Sequence, residues 1–490
     1  MSALPAAPLR IALRELKGKT AEIASDTPGW ERVLTVRDHE GALDPSRPIV
    51  IGDRGTGKSF WTGALLNGES RSRLSSVYRR LDLDKVDVEL GFGGDEFTSH
   101  HPSGNELCDL LRQGFTAEAI WRAVILSVVP SAVRPVEISR GNWRQRVAWI
   151  VEDPGLRREF FQVADKYLVG AGRQLLVIFD ALDTLSSQWD EISSLMRGLL
   201  QVGLFLRPSR ALRLKLFLRP DMADDPQLWA VGDSSKLRHD EVMLTWTRRD
   251  LHALLIQYLV NHNETRNLIQ EYVRNNFGKS LNYESDRYEV PAELLGDEAA
   301  QQAFFASVAG DYMGRGATKG RTYTWVPNHL ANAKGHAAPR SFLLALGVAA
   351  ERSEGSAFAL EVEGIKEGVR QASQSRMLEL REDYRWIDAV FRPLRDMQVP
   401  VDRKEIMTRW RGGKIIAAIT KEMKADTTGR YLPPPRIASQ TDDSATHAAL
   451  IDTLDHLGII EVIGDGRLNM PDLFRLAAGV KRMGGVKLRP

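Results

Sequence analysis

The chain has 490 residues and 66 basic against 64 acidic side chains, a net charge of +2, so it is no uniformly basic wrapper for nucleic acid. That length allows roughly two to four domains with an ample apolar core. A single cysteine, Cys108, rules out a disulfide framework and fits a reducing, cytoplasmic setting. No signal peptide is read at the N-terminus, and no apolar run reaches the ~18 residues that a bilayer span needs. The ten histidines show no metal-ligand spacing, His100 and His101 being adjacent.

Residues 1–47 read as an arm with a short amphipathic piece around Leu9–Leu16. Either Val33–Arg37 packs on the base of the adjoining domain, or the arm is a surface strap. Next comes the stretch Gly52-Asp53-Arg54-Gly55-Thr56-Gly57-Lys58-Ser59, which fits G-x4-G-K-[ST]. The apolar run Pro48–Ile51 precedes it, and a helical stretch opens at Phe60. Strand, glycine turn and helix start together make an anion cradle from backbone N–H groups and the helix dipole. Lys58 is placed to reach the β- and γ-phosphates, and Ser59 to offer its hydroxyl to Mg2+. Gly52 through Phe60 are therefore the expected nucleotide-binding segment.

Beyond the cradle, alternating apolar residues suggest a strand over Val77–Leu90. A turn at Gly91–Gly94 leads to one long helix from Leu107 to Ile125, then to helical stretches at Trp143–Val151 and Leu156–Leu168. The run Leu175–Phe179 ends in Asp180-Ala181-Leu182-Asp183. Such a run has the texture of a strand covered on both faces, whose carboxyl end lies at the ligand edge of an open α/β sheet. That position brings Asp180 to the Mg2+ side of the phosphates. A helix (Trp189–Leu204) and the strand Leu212–Leu218 come next, and Pro220 stops that strand after Arg219. Arg219 thus reaches the γ-phosphate from a neighbouring strand, or is a solvated strand end. Glu241–Leu244 brings the sheet to about five strands.

From Thr247 the texture becomes helical, at Arg249–Val260, Glu264–Phe277 and Ala299–Gly310. Gly314–Thr324 reads as a loop, either a basic contact loop or plain surface. Pro339 opens a helix through Ala350 and places Arg340 at its start, as a contact to bound phosphate or as simple packing. The part from Arg376 onward holds a helix with Trp386, a basic stretch over Arg403–Lys424, and a loop over Thr427–Asp443. It closes with a helix at Ala445–Leu457, apolar runs flanking Gly464-Asp465-Gly466, and a basic tail. Helices followed by a hairpin are the order of a winged helix, which binds nucleic acid or protein.

With these pieces in order, the chain resembles the STAND and AAA+ group of P-loop ATPases, nearest to prokaryotic initiator and signalling members. Gly52–Ser59 corresponds to Walker A and Leu175–Asp183 to Walker B. Arg219 matches the sensor arginine of the fourth core strand, Pro339-Arg340-Ser341-Phe342 a lid sensor, and the tail the winged helix. The resemblance covers most of residues 48–480. It implies a parallel-sheet P-loop NTPase core at 48–245, a helical lid at 246–375 and a winged-helix domain at 376–490. It further implies ATP and Mg2+ as ligands, Ser59 and Asp180 as metal ligands, and hydrolysis to ADP and phosphate. One departure is that Ala181 stands where many AAA+ proteins carry the water-polarising glutamate. Asp183 is then expected in that role, with Glu191 the next acid to consider. A homo-oligomer, and a protein partner or DNA met through the C-terminal domain, are the expected partners; a bacterial antiviral setting is a further expectation.

Two functions compete on these grounds. One is an ATPase whose nucleotide state drives assembly or remodelling of a partner. The other is a DNA-binding regulator in which ATP is a slowly hydrolysed switch. A small-molecule phosphotransferase has no use for a lid and a winged helix.

Overall fold

The structure is a computed structural model, and it describes residues 3–19, 29–94, 100–186, 188–426, 434 and 444–483. The loop expected over Thr427–Asp443, Pro434 apart, and residues 484–490 of the basic tail lie outside the described residues.

Five parallel strands form the central sheet in the order β2-β3-β4-β1-β5: Val86–Phe92, Gln174–Phe179, Leu212–Leu218, Ile49–Ile51 and Val242–Met243. The apolar runs read from the sequence explain why. Alternate residues point to opposite faces of a strand, and here both faces are covered. Val50, Leu176, Ile178 and Phe217 enter one core with Trp61 and Leu65. Ile49, Ile51, Val177, Phe179 and Leu216 enter the other, with Trp121 and Leu199. The register Ile51↔Leu218 and Ile51↔Met243 sets the carboxyl ends of three neighbouring strands level with one another.

Several local expectations change. The strand begins at Val86, not Val77, because the alternation at Leu81 and Leu83 belongs to two short 3-10 turns around Asp82 at φ 47°. Gly91 and Phe92 belong to β2, not to a turn. The single long helix is two, Gly104–Arg112 and Ala117–Val128, parted where Gly114 takes φ 91°. A helix over Thr322–Leu330 takes up the end of the stretch whose composition suggests a loop.

Lys215 on β4 is fully buried and donates Nζ to the carbonyls of Asp44 and Arg47, at 2.9 Å each. Burial pushes its pKa down to about 7. Between that value and about 10.4, its ordinary value, the unfolded chain holds the proton and the folded chain does not. Stability should therefore rise with pH across that window, by up to about 1.4 kcal/mol per pH unit. Denaturant unfolding of wild type and Lys215→Met at pH 7 and 9.5 should show a steeper rise in wild type than in the variant. Parallel pH dependences would refute it.

The helices after Thr247 and the C-terminal part share one apolar core, running from Leu255 and Phe305 through Leu346 and Trp386 to Trp410 and Phe474. The arm joins it: Leu9, Leu13 and Leu16 of the helix Ala6–Lys19 are buried there, so the arm is no strap. The expected division between 375 and 376 falls inside one 22-residue helix, Val362–Asp383. That helix packs closely on Pro339–Arg352, since a Cβ added at Gly368 would come within 2.1 Å of the Ala345 carbonyl oxygen. The hairpin is present as Glu461–Val462 paired with Leu468–Asn469. Among the described residues, no helix is long and apolar enough to cross a membrane.

Candidate nucleotide site

The cradle forms at the carboxyl end of β1. The Gly52 N–H continues the sheet by donating to the Leu218 carbonyl at 3.0 Å. Gly55 and Gly57 then take φ 78° and 103°, a region that side-chain-bearing residues enter at a cost of about 1–2 kcal/mol. Gly57 caps the helix Lys58–Leu66 without any side-chain hydrogen bond, which leaves first-turn N–H groups for an anion. Lys58 curls over the loop, donating Nζ to the carbonyls of Gly52 (2.6 Å) and Asp53 (3.1 Å). Burial lowers its pKa, and the charges of Asp180 and Asp183 act the other way.

Asp180 stands at the end of β3, with 1% of its surface exposed. Burial pushes its carboxyl pKa up, while a hydrogen bond from Ser59 and the Lys58 charge pull it down. Its Oδ2 is buried with no hydrogen-bond partner among the described residues. A buried, unpaired carboxylate oxygen beside a serine hydroxyl is costly without a ligand, and that pair suits a hard cation with oxygen ligands. Behind it Ala181 takes φ 53°, which turns the chain sharply so that Asp183 comes back to the same space.

That space is a cavity of about 390 Å³, within the usual range for a ligand pocket. Arg54, Gly55, Gly57, Lys58, Ser59, Phe60, Asp180, Asp183, Arg219 and Arg340 all line it. Gly52, Asp53 and Thr56 do not; they hold the loop from behind. Asp53 accepts from Asn332 Nδ2 at 3.0 Å, and the Thr56 carbonyl accepts from Trp246 Nε1 at 2.7 Å. The remainder of the wall is mainly apolar: Leu16, Leu34, Trp246, Leu254, Tyr258 and Leu343. Sequence reasoning missed this wall, because its members come from the arm, the end of the sheet and the helices Arg248–Asn261 and Pro339–Arg352. Only the amphipathic spacing of Leu9–Leu16 hinted at a buried face.

Arg219 is placed differently from a solvated strand end. Nε and Nη2 bond Asp221 at 3.0 and 2.6 Å, and Nη1 bonds Asp183 at 3.1 Å and Asp383 at 2.7 Å. These carboxylates keep its guanidinium firmly charged against the cost of burial. Pro220 does more than stop the strand: it opens a short helix, Pro220–Ala223, that presents Asp221 to Arg219. Arg340 meets the cradle directly, its N–H lying 3.4 Å from the Gly55 carbonyl oxygen. Its side chain is half exposed and pairs with Glu379 at 3.4 Å. Glu191 bonds Arg112 and Ser186 and does not line the cavity, so it stands outside the site. No cluster of three or more His, Cys, Asp or Glu able to hold a metal occurs among the described residues, so a cation here would need Ser59 and phosphate oxygens.

No family model matches the sequence, and no curated protein matches it. Among solved structures, it is similar to the Orc1 protein of Aeropyrum pernix in complex with DNA, at 16% identity over 96% of this chain and 94% of that one, with a TM-score of 0.33. It is also similar to the Aeropyrum pernix Orc2 protein in its ADPNP–ADP complexes (15% identity, 93% and 95% covered, TM-score 0.39). A third is Cdc6p of Pyrobaculum aerophilum (12% identity, 92% and 93% covered, TM-score 0.28). At such identities and TM-scores none of the three carries the functional reading, which rests on the cavity's own residues.

Proposed function

We propose that the chain is a P-loop ATPase of the AAA+ kind, whose nucleotide state is communicated to its C-terminal half. The observation that carries this is a single cavity holding Lys58 and Ser59 of a glycine cradle beside the buried, half-unpaired carboxylate of Asp180. The first-turn amides and Lys58 would bind the phosphates, and the wall around Trp246 and Leu343 would take the base and exclude water. Ser59 and Asp180 would hold Mg2+, which when bound offsets charge on the β- and γ-phosphates. Asp183, steadied by Arg219, would orient the attacking water. Calorimetric titration of the full chain with ATP and Mg2+ tests this: one site per chain supports it, and no heat with an intact fold refutes it.

A second reading, a DNA-binding regulator, is favoured by one surface. Lys404, Arg411, Lys421 and Lys424 are exposed on the consecutive helices Arg403–Gly412 and Ile415–Ala425, and Lys414 is exposed between them. The helix before the hairpin, Ser444–His456, instead exposes Asp452 and Asp455, and His456 pairs with Asp224 of the core at 2.7 Å. Duplex DNA would therefore meet the two basic helices. Affinity should fall steeply with salt, and Lys421→Ala should lower the log–log salt slope by about 1. A slope that the substitution leaves unchanged would remove these helices from the contact.

A further inference from the structure

The end of the helix Val362–Asp383 meets two arginines of the nucleotide cavity's wall without itself lining the cavity. Asp383 places a single oxygen, Oδ1, 2.7 Å from Arg219 Nη1 and 2.8 Å from Arg54 Nη2. Both arginines line the cavity beside Lys58 and Ser59. Glu382 takes the other Arg54 nitrogen at 3.0 Å. Tyr384 donates its hydroxyl to Asp221 at 2.5 Å and accepts from Arg219 Nη2 at 3.0 Å. Asp383 is 8% exposed and Arg219 11%, so these charge-assisted bonds are shielded from water and stronger for it.

The charge balance decides what this arrangement permits. Two arginines, Arg54 and Arg219, face four carboxylates, Asp183, Asp221, Glu382 and Asp383, so the group sums to −2. The negative end of the helix dipole adds to it. A diphosphate held by the cradle amides and Lys58 needs neither arginine. A terminal phosphate needs cationic donors, and here both are already engaged by carboxylates.

We infer that Asp383 is a specificity-determining residue: its carboxylate engages the Arg54 and Arg219 nitrogens that a γ-phosphate would otherwise take. While this helix end, Glu382–Tyr384, is seated, the site favours a nucleoside diphosphate. A triphosphate binds by displacing the helix end, and it can shift that equilibrium only by its difference in affinity for the two arrangements. This inference rests on the ATPase reading above.

The test is the ratio of affinities for ADP and a non-hydrolysable ATP analogue, measured by calorimetry on the full chain. Wild type should bind ADP about tenfold or more tightly than the analogue. Asp383→Asn, which keeps the shape and removes the charge, should shrink that ratio at least about fivefold, with the change carried by the analogue. Glu382→Gln on the exposed rim and Tyr384→Phe should move it the same way by less. If Asp383→Asn does not fold by circular dichroism, those two variants carry the comparison. Binding of both nucleotides with a ratio that none of the variants moves overturns the inference alone. Binding of neither nucleotide by wild type overturns the ATPase reading and the inference with it.

Discussion

Replacing Lys58 by alanine is expected to weaken ATP binding by at least some hundredfold, or roughly 3 kcal/mol, as the loss of charge-assisted bonds worth about 1.5–3 kcal/mol each implies. Lys58 is the residue of the cradle whose ammonium already lies over the loop, 2.6 Å from the Gly52 carbonyl oxygen, and a swing of its stem carries it to phosphate. Arg54 and Arg219 do not replace it, because they become available only once Asp383 is displaced, and that displacement itself costs binding energy. The fold should survive, since the sheet bond from Gly52 to Leu218 and the Trp246 bond to Thr56 are independent of this side chain. A fluorescent-nucleotide titration, with circular dichroism as the control, reads the outcome. Wild-type affinity in the variant would show that the cradle is not the binding site.

Asp180→Asn should act on the opposite quantity. An amide oxygen still accepts from Ser59, so the local packing and the nucleotide affinity should change only a few fold. Turnover should drop by about two to three orders of magnitude, because the lost negative charge matters most where charge develops in the transition state. Single-turnover hydrolysis with saturating ATP and Mg2+ separates the two effects. Turnover near that of wild type would take Asp180 out of the mechanism. Asp183→Asn should also spare binding more than turnover, and it should loosen Arg219, which bonds Asp183 at 3.1 Å.

The cradle was legible in the sequence because its chemistry is local: eight consecutive residues carry the glycines, the lysine and the serine. Asp180 was legible for a similar reason, since a buried strand advertises itself as an unbroken apolar run and the acid stands at its end. Alternation misled at Leu81 and Leu83, where a left-handed Asp82 and two 3-10 turns reproduce the pattern without a strand. The acids that hold Arg219 were not legible. Asp383 lies 164 positions from Arg219 in the chain, and their meeting depends on where a 22-residue helix ends in space. The apolar wall escaped for the same reason, being assembled from Leu16, Leu34, Trp246 and Leu343.

That long helix has a mechanical consequence. At 1.5 Å per residue it is a rod of about 33 Å, and its close packing on Pro339–Arg352 through Gly364 and Gly368 leaves the pair little room to slide. Tilting the rod by about 10° around its far end would sweep the Asp383 tip through about 6 Å, enough to part it from both arginines. The helix Asp472–Ala478 rests on the same rod, Ser373 accepting the N–H of Ala477 at 3.1 Å. Ser373 lies about half-way along the rod, so the same tilt would move that helix by only about 3 Å: the phosphate end is the long arm, and its excursion is geared down to about half where the C-terminal helix rests.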